Sequence, residues 1–160
     1  MTATHSMFSQ AGPLALSGVP AFFKHDTESE VIHMNRILSS ASAPAAIGPY
    51  SQGVQAGNLV FVSGQLPFVP ATGELLDAPI GEQTKQCLYN ISFILAEAGC
   101  ALKDVVKTTI FLKDMGDFAE VNAAYGKFFT ENPPARACVQ VAKLPRDARI
   151  EIEVIAAKEG

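Results

Sequence analysis

Two alternating stretches near the C-terminus constrain the fold more than anything else in the chain. Pro133-Pro134 leads into Ala135-Arg136-Ala137-Cys138-Val139-Gln140-Val141, and after a short link comes Ile150-Glu151-Ile152-Glu153-Val154-Ile155-Ala156-Ala157. Both alternate apolar and polar side chains, the period of half-buried strands. In the first, Ala137, Val139 and Val141 point one way and Arg136, Cys138 and Gln140 the other. In the second, Ile150, Ile152 and Val154 share one face and Glu151 and Glu153 the opposite one. One reading is two ordinary wet faces. The other notes that Arg136 opens its strand just after a rigid Pro-Pro, and that Ile155 and Ala157 continue the glutamates' face as apolar. A face running from Glu to Ile passes from wet to dry. A cleft at that boundary would set an arginine beside a carboxylate, a pair fit to bind an anion and handle a proton.

The length of 160 residues fits one domain with a proper core. A net charge of −4 and a pI near 5.3 give no general pull toward nucleic acid or anionic membrane. No apolar run approaches the roughly 20 residues of a spanning helix. Cys87, Cys100 and Cys138 are odd in number and widely spaced, which reads as reduced thiols rather than a disulfide frame or zinc site. All three histidines (His5, His25 and His33) precede Met34. Chemistry in the main domain therefore excludes a Ser-His-Asp or Cys-His arrangement and a His-ligated metal. A carboxylate, lysine, tyrosine, thiolate or oriented water is left to act as base.

Residues 1–33 show no periodic pattern, and Pro13, Gly18 and Pro20 interrupt their apolar patch. From Met34 the pattern turns regular. Asn35 to Leu38 reads as a short edge strand, and Ser42 to Tyr50 as a loop. Ser51 to Ala56, Gly57-Asn58 and Leu59 to Gln65 read as a hairpin. Ser63-Gly64 ends that strand, either as a bulge or as a place where a ligand nears the backbone. Pro70 to Gly73 is a turn. Asp77 is the expected N-cap of a helix carrying Thr84, Leu88, Ile91, Leu95 and Ala98 on one face, stopped by Gly99. Val105 to Leu112 is a β-branched strand, with Lys107 a solvated or ion-paired strand lysine. Asp117 to Glu120 resembles a capping box opening a second helix, with Phe118, Val121, Tyr125 and Phe128 on one face and Asn122 beside it. Two helices cannot cover both faces of so wide a sheet, so they should pack on one. A copy of the same chain is the economical cover for the other.

In order along the chain stand Gly48-Pro49-Tyr50-Ser51-Gln52, Ser63-Gly64-Gln65, Val106-Lys107-Thr108-Thr109, and Asn122 with Tyr125 and Phe128-Phe129. Pro134-Ala135-Arg136-Ala137-Cys138 and Ile150-Glu151-Ile152-Glu153 complete the series. Together they resemble the Rid, or YjgF, family of reactive-intermediate deaminases, and within it the RidA subgroup, over Met34 to Lys158. The resemblance implies an α+β, chorismate-mutase-like fold: a mixed sheet with two helices on one face, built into a homotrimer with a central barrel and clefts between subunits. On it, residues 1–33 are a disordered extension or leader and 34–160 a single RidA-like domain. It also implies hydrolysis of 2-imino and enamine acids (2-aminoacrylate, 2-iminobutyrate) to 2-keto acids and ammonia, with no cofactor, no metal, no nucleic acid and no membrane.

Carried over by position, Arg136 would hold the substrate carboxylate in a two-pronged hydrogen bond worth roughly 1.5–3 kcal/mol. Glu151 would orient or deprotonate the attacking water. Ser63, Gly64 and Cys138 would line the pocket, and Tyr50 and Asn122 would complete it. Glu153 does not match the family's site position and is left as structural. The link Thr130 to Pro133 is shorter than in some members. The alternative function is a non-catalytic module binding a 2-keto acid or similar small anion in the same clefts. An RNA-directed activity fits an acidic chain without core histidine poorly. The expected compartment is the cytoplasm, with the mitochondrial matrix as alternative.

Overall fold

The computed structural model describes residues 35–158, and the extension or leader expected over residues 1–33 lies outside them. Within those residues the order is β1 (Arg36–Leu38), β2 (Gly53–Ala56), β3 (Leu59–Gln65), β4 (Phe68–Val69), β5 (Glu74–Leu75), α1 (Ile80–Ala96), β6 (Val105–Leu112), α2 (Phe118–Tyr125), β7 (Ala135–Gln140) and β8 (Ile150–Ala157). Six strands make one mixed sheet ordered β1-β2-β3-β8-β6-β7, and β4 and β5 form a small hairpin apart from it. β6 and β7 run parallel, which requires a crossover, and α2 lies within it. The α+β arrangement expected from the sequence is the one found.

Local chemistry explains the joints. β2 and β3 meet at Ala56 and Leu59 across a two-residue turn in which Gly57 takes φ +61°. Glycine at the first central position suits the twist of a hairpin. The Pro70 to Gly73 turn closes the β4–β5 hairpin.

The core lies between the sheet and the two helices. From α1 come Leu88, Ile91, Ile94 and Leu95; from the sheet come Val60, Val62, Ile110, Leu112, Ile150, Ile152 and Val154. The apolar stripe of α1 was legible at its 3.6-residue period. Asn90 on α1 is fully buried, and its amide donates to the carbonyls of Leu66 (3.2 Å) and Phe68 (3.0 Å), tying the small hairpin to the helix.

Both expected caps differ from what the structure shows. Asp77 does not cap α1: Pro79, with φ −52° and ψ 151°, is the flanking residue and provides no side-chain bond. The free N–H of Gly81 instead donates to Glu120 Oε1 on α2 at 3.0 Å. Glu120 is therefore spent on the neighbouring helix and closes no capping box of its own. Asp117 likewise does not cap α2; its carboxylate accepts from Arg149 at 2.7 Å. Asp114 caps the short turn before α2 by accepting from Gly116 N–H at 2.8 Å. A carboxylate near a helix start goes to whichever donor tertiary packing brings closest, which local spacing does not encode.

Candidate active site

The site begins at a bulge. Between Val62 and Gln65, β3 advances three residues while its partner β8 advances two, from Val154 to Ile152. The extra residue turns Ser63 and Gly64 out of the ladder. A side chain at Gly64 would overlap the Glu151 carboxylate: a Cβ there would lie 2.7 Å from Glu151 Cδ and 3.0 Å from Cγ. The bulge is present, and Glu151 approaches the backbone closely there. Half-burial pushes the Glu151 carboxyl above the usual glutamate range, with the neighbouring Glu153 charge adding to the rise.

Around this carboxylate opens a cavity of about 370 Å³ whose wall includes Tyr50, Ser63, Gly64, Glu151 and Arg146, with Ile47, Leu66 and Phe68 as apolar parts. Ser63 Oγ donates to the Ser51 carbonyl at 2.7 Å, which leaves its lone pairs free to accept. Tyr50 stands half-exposed and its hydroxyl accepts from Ile47 N–H at 3.3 Å. The loop that carries Tyr50 is clamped from beneath by Gln52. That buried amide accepts from Ser40 N–H at 2.6 Å and donates to the carbonyls of Ser40 (3.2 Å) and Pro44 (2.7 Å). Arg146 and Asp147 both adopt left-handed backbone, φ 56° and 59°, a costly geometry for side chains with a Cβ. Arg146 also reaches Glu74 at 3.7 Å.

A second group gathers on α2 and β7. The Arg136 guanidinium lies over the rings of Tyr125, at 4.8 Å, and Phe118, at 5.8 Å. Phe118, Asn122 and Tyr125 recur at i, i+4 and i+7, so the exposed Asn122 shares the stripe that seats the arginine. Cys138 follows two residues after Arg136 on the same strand face and is half-buried; burial raises its thiol pKa and the Arg136 charge opposes the rise.

The structure thus brings Tyr50, Ser63, Gly64 and Glu151 together, and separately Arg136, Asn122 and Cys138. It does not join the two groups within one chain: Arg136 and Glu151 leave the sheet on opposite faces. The register gives the reason. Arg136 pairs with Thr108, which pairs with Val154 on the helix-covered face. Glu151 pairs with Phe111 on the other face. Side chains of odd and even parity leave a sheet on opposite sides.

Comparison with known proteins bears on this geometry. The family model described as endoribonuclease L-PSP matches residues 40–158. The chain belongs to the Rid/YjgF family. Among curated Rid/YjgF relatives, the 2-iminobutanoate/2-iminopropanoate deaminase of Escherichia coli K12 is 51% identical, covering 78% of this chain and 99% of that protein. A RutC family protein of Pyrococcus horikoshii is 50% identical over 79% of this chain and all of its own length. Two Rid/YjgF crystal structures from E. coli superpose on the chain. The YjgF gene product has a TM-score of 0.73 at 49% identity, covering 78% of this chain and 99% of that one. TdcF with bound serine has a TM-score of 0.74 at 44% identity with the same coverage.

Both half-sites of this Rid/YjgF chain lie inside the matched residues. Sequence reasoning missed the Gln52 clamp, the apolar wall and Arg146. The first sits within the quoted Gly48-to-Gln52 block, and the last within the Leu144-Pro145-Arg146-Asp147 turn ahead of Ile150. Of the face expected for α2, Tyr125 is buried in the core while Phe118 is 38% exposed, and both lie beneath Arg136. Among the described residues no three His, Cys, Asp or Glu side chains cluster as metal ligands. No helix among them is long and apolar enough to cross a membrane.

Proposed function

We propose that the protein hydrolyses 2-imino and enamine acids, such as 2-iminobutyrate and 2-aminoacrylate, to 2-keto acids and ammonia, using its own side chains alone. The observation that carries this reading is Glu151: a half-buried carboxylate with a raised pKa, pressed against the Ser63-Gly64 bulge in an open cavity. The naming of relatives about half identical as 2-iminobutanoate/2-iminopropanoate deaminases supports it. Arg136 takes the substrate carboxylate in its planar fork. Glu151 accepts a proton from a water that attacks the imine carbon, and the resulting carbinolamine collapses as its nitrogen is protonated. In balance, an iminium acid and water give a keto acid and ammonium. An enamine first gains a proton at its terminal carbon and then follows the same course. Ser63 accepts from the iminium N–H, while Tyr50, Asn122, Cys138 and the Gly64 backbone shape the pocket.

Because Arg136 and Glu151 leave the sheet on opposite faces, the reading requires the cleft to be shared between copies, and we assign a homotrimer. The sheet face bearing Glu151 has Leu59 and Phe61 exposed, as a face covered by another copy would. Three free thiols fit a reducing compartment, and the cytoplasm is proposed, with the mitochondrial matrix as alternative.

The test couples a threonine or serine dehydratase to the protein and follows decay of the intermediates, with semicarbazide as trap. Wild type should accelerate keto-acid release and Arg136→Ala should not. No acceleration by an assembled wild type would overturn the deaminase reading and leave a small-anion binding module.

A further inference from the structure

Arg136 sits in a small structure that imine hydrolysis alone does not demand. Thr108 faces it across the β6–β7 ladder, and Thr108 Oγ1 lies 3.0 Å from the Tyr125 hydroxyl. Thr108 is fully buried and Tyr125 nearly so. On its strand face Thr108 has Ile110 and Val154 as neighbours. A hydroxyl pair in such a place adds little net stability, because each group gives up water to gain the other. Valine and phenylalanine would occupy the same space. What the pair adds is position: the Tyr125 ring packs on Phe129 with centroids 4.5 Å apart, and its hydroxyl is pinned to the strand beside the one carrying Arg136.

The other arginines of the described residues have oxygen partners. Arg146 meets Glu74, Arg149 meets Asp117, and Arg36 donates to the Glu97 carbonyl. Arg136 has aromatic rings and, among the described residues, no carboxylate. A carboxylate partner would fix the guanidinium but occupy its fork. An aromatic face attracts the cation through its quadrupole and leaves the N–H edges open.

We propose that Thr108 and Tyr125 are positioning residues for Arg136: a hydroxyl-pinned ring that holds the guanidinium in place and unpaired until a substrate carboxylate arrives. The inference rests on Arg136 as carboxylate anchor and deepens that reading. Phe118, at the longer distance, closes the seat from the exposed side.

The experiment uses the full chain in three forms: wild type, a Thr108→Val/Tyr125→Phe double variant, and Tyr125→Leu. Two readouts are taken, the Arg136 Nε–Hε nuclear magnetic resonance signal, assigned by its loss in Arg136→Lys, and calorimetric binding of 2-oxobutanoate. In the double variant the melting temperature should stay close to wild type, while the Arg136 signal loses order and its ring-current shift changes as the unpinned ring moves; in Tyr125→Leu the Tyr125 contribution to that shift disappears. In Tyr125→Leu the Kd should rise roughly two- to thirty-fold, the span of a cation–π contact from exposed to desolvated. The double variant should fall between, with KM moving more than kcat. An unchanged Arg136 signal together with an unchanged Kd in a folded double variant would overturn the proposal. Failure of wild type to bind 2-oxobutanoate would count against the deaminase reading instead, and the Arg136 signal would still decide the positioning.

Discussion

Gly64→Ala isolates the contact on which the proposed chemistry turns. Gly64 is not left-handed, so alanine meets no backbone strain there and should gain about 0.4–1 kcal/mol from a stiffer unfolded chain. The added Cβ would stand 2.7 Å from Glu151 Cδ, where ordinary contact begins at 3.4 Å. Glu151 must retreat by more than the roughly 0.7 Å that Cδ alone would need, because its carboxylate oxygen overlaps the new carbon outright. It can do so by rotating toward the open cavity, at about 0.5–1.5 kcal/mol for a displaced rotamer. The two contributions nearly cancel, and the melting temperature should stay within a few degrees of wild type. Activity should not survive so well, because misplacing a reacting group by about 1 Å costs on the order of 10²-fold. Stopped-flow decay of 2-iminobutyrate, beside thermal unfolding of the same samples, measures both. On a Glu151→Gln background the alanine should cost almost nothing further. Wild-type kcat/KM in Gly64→Ala would refute the reasoning, as would a loss of several kcal/mol in stability.

Four other outcomes follow from the same geometry. Glu151→Gln should keep 2-oxobutanoate binding and lose turnover; equal turnover in both forms would remove Glu151 from the mechanism. The same variant tests the sign of the pKa shift. A carboxyl raised in the folded state stabilises the fold while protonated, and that contribution is lost as pH rises through the folded pKa. Glu151→Gln should therefore gain stability relative to wild type at neutral pH, a gain that fades below about pH 4, the unfolded glutamate range. In wild type the acid limb of kcat/KM should lie above the ordinary glutamate value of about 4.3, and a limb below it would contradict a half-buried base. Gln52→Leu strands three backbone groups at about 1–3 kcal/mol each where they stay dry, so amide exchange across residues 40–50 should quicken. Unaltered protection there would mean the loop is held by something else.

The strand periods of β7 and β8 and the apolar stripe of α1 were readable in the sequence, because a side chain's parity is fixed by its place in the chain. Which parity faces the helices was not readable for β7. Val139 looks like the buried partner of the alternation, yet it is 42% exposed on an edge strand, while Arg136 and Cys138 face α2. That outcome depends on the β6–β7 register, a pairing between distant segments. The candidate residues were legible as blocks, but their division into two groups was not. Caps failed for a related reason: Glu120 and Asp117 had stronger claims from Gly81 and Arg149, residues 39 and 32 positions away. Gln52 escaped notice because a glutamine in a loop looks solvated until the loop folds over it.

The opposite outlook of Arg136 and Glu151 has a consequence for inheritance. On the proposed sharing of clefts, an allele lacking the arginine and one lacking the glutamate spoil different halves of each junction. Either allele alone leaves every junction incomplete. Expressed together, they assemble some junctions that draw an intact arginine from one parent and an intact glutamate from the other. Two null alleles would then complement within a single gene, and the unit on which selection acts is the junction between chains.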